Sequence, residues 1–245
     1  MRYTIKRKAI AMIELIFAIV IMGIALMSAP MLISQASNGS LSVVQQEAIV
    51  AGATELSMIM TRHWDEADTN ESDYSPILVV NENITALNEA KTADGNGTGR
   101  RIGTPQSSSR SFLTSSGLRL NASALGQDTN DGTEYDDIDD FDGKVTTLGL
   151  GVAGEGTTTP QGDYIDASLN IITNLDYISA PAITYAAVTI SFNQPFANIA
   201  AQTSNIKAIK TTVTSAQHNN ELNTNITLRA FMCNIGTYEL QRRTF

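Results

Sequence analysis

Cysteine occurs once in these 245 residues, as Cys233, and histidine only twice, as His63 and His218. One thiol excludes an internal disulfide, and a zinc site of nitrogen and sulfur ligands lacks its raw material. Cys233 sits in the apolar stretch Ala230-Phe231-Met232-Cys233, which reads as a buried, inert thiol. Positive charge is also scarce. Sixteen Lys and Arg stand against 25 Asp and Glu, a net charge of −9, so the chain lacks the basic face that nucleic-acid binding needs. No serine lies in a Gly-x-Ser-x-Gly context, and a Ser-His-Asp arrangement around either histidine therefore has no nucleophile elbow. Gly149-Leu150-Gly151-Val152-Ala153-Gly154 spells Gly-x-Gly-x-x-Gly, but Glu155-Gly156-Thr157-Thr158-Thr159-Pro160 follows it and cannot open a phosphate-binding helix. No catalytic cluster is visible, and an enzyme is not expected.

What is present begins with an apolar run, Ile10–Ile33. A helix needs about 20 such residues to cross a bilayer core. Arg2, Lys6, Arg7 and Lys8 precede the run, so the positive-inside rule keeps the N-terminus cytoplasmic and sends the chain after about residue 34 to the far side. Ser28-Ala29 offers small residues for a secretory cleavage site, but the apolar character continues through Met31-Leu32-Ile33. Glu14 stands inside the run. A carboxylate at that depth is costly, and its presence points to function.

The segment Lys8-Ala9-Ile10-Ala11-Met12-Ile13-Glu14-Leu15-Ile16-Phe17-Ala18-Ile19-Val20-Ile21-Met22-Gly23-Ile24 resembles the N-terminus of type IV pilins and pseudopilins. In that family a prepilin peptidase cuts before an apolar residue, with a glutamate fifth in the mature chain. The resemblance implies a cut between Ala9 and Ile10, methylation of the Ile10 amine, and pairing of Glu14 with the N-terminal amine of a neighbouring subunit. Gly23 falls where pilins commonly carry glycine. Pro30 lies about where many have a helix-kinking proline, one residue before the commonest spacing. Ala9 departs from the usual glycine, and the lone cysteine departs from the C-terminal disulfide of many pilins. Losing residues 1–9 would remove four basic residues and leave 12 against 25 acidic ones, a charge of −13.

The fold class expected is α+β and pilin-like: a long N-terminal helix packed on a C-terminal antiparallel sheet. Four regions follow: a leader at 1–9, a membrane or filament-core helix at 10–33, its amphipathic continuation at 34–64, and a β-rich periplasmic domain with mobile loops at 65–245. Leu41, Val43, Val44, Ala48, Ile49, Ala53, Leu56, Met58, Ile59 and Met60 recur at three- and four-residue steps. Asn38-Gly39-Ser40 is a weak point in that helix, which should end near Arg62-His63-Trp64, with Asp65–Glu71 as a solvated loop. Residues 70–182 read as irregular, with strands at Ile77–Val80, Phe112–Leu120 and Lys144–Leu150 and a mobile loop over 91–111. Alternation and β-branching predict strands at Ala182–Phe192, Ile206–Thr214 and Ile226–Met232, with Gln217-His218-Asn219-Asn220 as a hairpin loop.

An acidic cluster, Asp128, Asp131, Glu134, Asp136, Asp137, Asp139, Asp140 and Asp142, is the second feature. Oxygen-rich loops can bind calcium, and Asp137, Asp139, Asp140 and Asp142 are the candidates, although Phe141 stands where an EF-hand needs a ligand. A solvated acidic turn is the alternative. Apart from calcium no cofactor is expected. Asp136-Asp137-Ile138-Asp139-Asp140-Phe141-Asp142-Gly143 resembles a motif of minor pilins of the mannose-sensitive haemagglutinin system. His63-Trp64-Asp65-Glu66, Ile206–Thr214 and Leu228-Arg229-Ala230-Phe231 resemble the same group. The resemblance implies a minor pilin that primes or decorates such a pilus. The alternatives are a minor pseudopilin of a type II secretion system and, more distantly, a membrane-anchored periplasmic enzyme or binding protein. Partners implied are other pilin or pseudopilin subunits, the prepilin peptidase and the inner-membrane assembly platform. The location implied is a single pass in the inner membrane, with the C-terminal domain periplasmic or carried into a surface pilus.

Overall fold

The computed structural model describes residues 5–69, 75–105, 108–128, 134–150, 167–179, 196–215 and 225–237. It is α+β, with one long helix, α1 (Ile5–Ile59), followed by short strands and then an antiparallel sheet. The chain divides into two units, Met1–Glu47 and Ala48–Phe245.

The N-terminal unit holds most of α1. Residues 11–39 are exposed on every side of the helix, and its most apolar 18-residue window has a mean hydropathy of 2.5 with none of it buried. A helix that is apolar all round needs an apolar surrounding. Length and composition suit it either to cross a membrane or to act as a signal sequence. Pro30 lies inside α1, and so do Asn38-Gly39-Ser40, which do not interrupt it. A helical glycine costs only about 1 kcal/mol relative to alanine, too little to break a helix continued on both sides.

In the second unit the end of α1 lies against the sheet. Ala48 and Ile59 are fully buried. Gly52 makes the close approach possible, because a Cβ there would meet Val213 Cγ2 at 2.9 Å and Leu228 Cδ1 at 3.2 Å. The sheet runs β3 (Val145–Leu150), β4 (Ala167–Ile178), β5 (Ile206–Ser215), β6 (Ile226–Cys233), every neighbour antiparallel. Strands β5 and β6 pair from Ile206↔Cys233 to Val213↔Ile226. Ile59, Trp64, Leu78, Ile138, Phe141, Leu175, Tyr177 and Ile209 form the core cluster between helix, loops and sheet.

Three expectations need correction. The longest strand, β4, falls in the stretch read as irregular. Its Leu169, Ile171, Thr173, Leu175 and Tyr177 are all buried at period two. Residues 91–111 are not simply a loop, since β1 (Glu89–Lys91) and β2 (Gly97–Arg101) form a hairpin. Its turn closes through Gly95 N–H to Thr92 O at 2.9 Å, with Gly95 at φ +80°, a conformation glycine adopts without strain. Ile77–Val80 and Phe112–Leu120 are not strands. Val79 makes one isolated bridge to Asn121, and Leu113 bridges Arg119 across a tight turn. The strand expected at Ala182–Phe192 and the loop at Gln217–Asn220 lie outside the described residues.

Candidate functional site

Two places hold the candidate residues. In α1, Ala9 and Ile10 lie on helical backbone, and Glu14 stands four residues after Ile10, about one turn further along. Around Glu14 the exposed side chains are Met12, Ile13, Leu15, Ile16 and Phe17. The carboxylate is the only acidic group between Ala11 and Gln46.

The second place is a cage around Lys207, which is fully buried. Lys207 stands on β5 two residues before Ile209 and four before Thr211, so all three project to the same, inward face. Its ammonium donates to Asp139 Oδ2 at 2.6 Å, Asp65 Oδ2 at 2.8 Å and the Trp64 carbonyl at 2.8 Å. Nζ also lies 4.0 Å from the centroid of the Trp64 ring and 5.2 Å from that of Tyr177, where the ring faces attract a cation. Ser123 braces both carboxylates: its N–H reaches both Asp65 oxygens at 3.1 Å, and its hydroxyl donates to Asp139 Oδ2 at 3.1 Å. The Tyr177 hydroxyl donates to the Ser123 carbonyl at 2.8 Å, and burial pushes its ionisation well above the usual tyrosine range.

Part of each acidic stretch folds onto this cage and is buried rather than solvated. Asp65 and Asp68 are buried, and Asp65 caps the 3-10 turn Glu66–Asp68 by accepting from Ala67 N–H at 3.2 Å. Asp137, Asp139 and Asp140 are buried beside Ile138 and Phe141. Asp137 Oδ1 accepts from the N–H groups of Asp139 at 2.7 Å and Asp140 at 3.1 Å, and Asp140 Oδ2 accepts from Asp136 N–H at 3.0 Å. Asp142 is exposed but pins β4 by accepting from Leu175 N–H at 2.8 Å. The aspartates therefore bind their own backbone, and Lys207 is the cation that Asp65 and Asp139 meet. Among the described residues no group of three or more His, Cys, Asp or Glu is arranged to hold a metal ion.

No protein-family model, curated protein or solved structure matches this chain.

The site is thus defined by its own geometry, and its chemistry is electrostatic. One buried ammonium faces Asp65 and Asp139, with Asp137 behind them. Burial, reinforced by the Asp139 charge, raises Asp137 to about 8. Burial also raises Asp139 to about 7, against the pull of Lys207, and Asp68 to about 6, against that of His63. His63 is half exposed, and its Nδ1 lies 3.4 Å from Asp68 Oδ1 and 3.5 Å from Ser75 Oγ. Both contacts fall on the same ring nitrogen, so they do not form a serine–histidine–aspartate relay. Cys233 is half buried, and burial raises its thiol above the ordinary value, in keeping with an inert role.

These shifts set a pH dependence. The unfolded carboxyls titrate near 3.8, whereas the folded ones hold their protons to about 8, 7 and 6. Between those limits the folded chain binds more protons than the unfolded one, so stability is full at acid pH and is lost as pH rises. Thermal unfolding of the detergent-solubilised chain should show a stability several kcal/mol lower at pH 8 than at pH 5, read as a clearly lower Tm. Asp137→Asn keeps the acceptor oxygen and should flatten about half of that slope. A Tm that rises from pH 5 to pH 8 would show that these carboxyls are ionised in the folded chain.

Lys207, Ser123 and Tyr177 were not singled out by sequence reasoning. Lys207 alone had a visible signal, a lysine in register with the apolar face of a strand.

Proposed function

We propose that this chain is a minor pilin-like subunit that helps to build a type IV pilus of the mannose-sensitive haemagglutinin kind. It enters the filament after a prepilin peptidase cuts between Ala9 and Ile10. One observation carries the reading: Glu14 is the lone carboxylate of a long, exposed, apolar stretch of α1, fifth from the expected cut. An unpaired carboxylate in hydrocarbon is costly, and a fixed cation beside it removes much of that cost. The methylated amine of Ile10 on an adjacent subunit is such a cation, presented only by a correctly staggered neighbour, so the pair would set the register of assembly.

Two further features support the reading. Lys6, Arg7 and Lys8 before the apolar run hold the N-terminus on the cytoplasmic side. The helix then leads into a domain whose sheet packs on the helix end at Gly52, so that one element serves as both anchor and scaffold. The inner-membrane assembly platform would lift the subunit out with its domain already folded on the periplasmic side. Lys207 supplies the positive charge inside the acidic loop, and the reading needs no calcium.

A strain lacking this chain should lose pili from sheared surface material viewed by electron microscopy. Normal pili together with a loss of secreted proteins from the culture fluid would instead assign the chain to a type II secretion pseudopilus. Normal pili and normal secretion would overturn both.

A further inference from the structure

The cage around Lys207 also holds the reactants of a covalent bond, an amine beside two carboxyls shut away from water. The Lys207 and Asp65 side chains are fully buried, and that of Asp139 is 2% exposed. Nζ lies 2.6 Å from Asp139 Oδ2, and the carboxyl carbon Cγ is one bond behind that oxygen. Groups held together in this way react as a unimolecular pair, without the entropic cost of an encounter. The Trp64 and Tyr177 rings, which cover Nζ, exclude the water that would reverse an amide bond.

The two carboxyls are not equivalent. Both Asp65 oxygens accept from the Ser123 N–H at 3.1 Å, and Oδ1 also accepts from the Ala67 N–H at 3.2 Å. Asp139 Oδ2 accepts from the Ser123 hydroxyl at 3.1 Å, whereas its Oδ1 is buried with no hydrogen-bond partner among the described residues. A bare buried oxygen is the natural seat of a proton, and burial raises the Asp139 carboxyl to about 7. Asp139 is therefore suited to be the neutral acid that an amine attacks, with Oδ1 as its leaving hydroxyl. Asp65 Oδ2, 2.8 Å from Nζ, is within reach to act as the base. Ser123 Oγ stands where negative charge grows on Asp139 Oδ2 as nitrogen adds to Cγ.

We infer that Lys207 and Asp139 condense to an intramolecular amide, with Asp65 as the proton carrier. The inference does not depend on the filament reading, and the ion pair of the cage is its reactant state. The Asp65 carboxylate takes one proton from the ammonium, and the freed amine adds to Asp139 Cγ. Asp65 then hands that proton to the Oδ1 hydroxyl, which leaves as water, and takes a second proton from the nitrogen. One C–N bond forms, one C–O bond breaks, no electrons are gained or lost, and Asp65 ends neutral. The product buries no charge, so the desolvation cost of the ion pair is relieved. Intact mass spectrometry of the detergent-solubilised full chain, fresh and after long incubation at neutral pH, reads the reaction. A fraction lighter by one water is expected, growing with time. Aspartates before glycine, such as Asp142, also lose water by closing on the next peptide nitrogen, so fragment spectra of a digest must join Lys207 to Asp139. Asp65→Asn keeps the shape of the base without its basicity and should slow the loss of water by about a hundredfold, its fold being checked by circular dichroism. Where that variant does not fold, the cross-link in the unaltered chain decides. No loss of water at any time, a loss without the cross-link, a link from Lys207 to Asp65, or an unchanged rate in folded Asp65→Asn would each overturn the inference.

Discussion

Lys207→Met should destabilise the C-terminal unit by about 3–5 kcal/mol, the usual consequence of stripping one partner from a buried ion pair. The ammonium satisfies three oxygens at once, on Asp65, Asp139 and Trp64, and none of them can turn to water because the side chains are fully or almost fully buried. Methionine fills the volume, so the loss reports charge and hydrogen bonding rather than a cavity. Lys207→Arg should fare little better, since a planar fork cannot reproduce three donors spread around a point charge between two rings. Urea unfolding of the detergent-solubilised chain measures the effect, read as a lower midpoint at an unchanged slope. Adding Asp65→Asn and Asp139→Asn to Lys207→Met should recover a large part of the loss, because an all-neutral replacement leaves no uncompensated charge. A loss below about 1 kcal/mol for Lys207→Met alone would mean that the cage is no more than a surface ion pair in strength.

Glu14→Ala is expected to have the largest functional effect. Glu14 lies in the N-terminal unit, so the substitution leaves the described core of the sheet domain untouched. The chain should still reach the membrane and still be cut, giving an N-terminal sequence that begins at Ile10. Its amount in sheared filament material should fall by about tenfold or more, since the variant has lost a charge-assisted contact made only in the assembled state. Glu14→Gln should share the defect, because it keeps the shape and hydrogen-bonding capacity but not the charge. Normal incorporation of either variant would end the assembly role assigned to this carboxylate.

Much of this architecture was legible from residue patterns. The apolar run marked α1, and alternation marked β3, β5 and β6 to within a residue or two. Strand β4 escaped because Asn170, Asn174 and Asp176 interleave with its buried residues, and in a long polar region that alternation passes for loop composition. The β1–β2 hairpin escaped for a different reason. Its pairing is stabilised from outside, by Arg101 reaching the Leu87 carbonyl and Asn205, and by Arg119 on Glu89. The acidic cluster drew attention correctly, but its net charge suggested water or a metal. What decides its state is a lysine 68 residues further along the chain from Asp139, a pairing no local window contains. The face of β5 did contain a clue, since Lys207 falls in register with the buried Ile209 and Val213. A lysine among core positions requires anionic partners.

The cage also dictates an order of events. Its contacts join Lys207 to residues 142 and 143 positions earlier as well as to Asp139, and such distant pairings close late and slowly. A chain synthesised from its N-terminus presents Asp65, Asp137 and Asp139 long before β5 exists. Until then those carboxylates have no buried cation to meet, and water remains their best solvent. Only when Lys207 arrives can Asp65 and Asp139 leave water for the buried positions they hold in the finished domain.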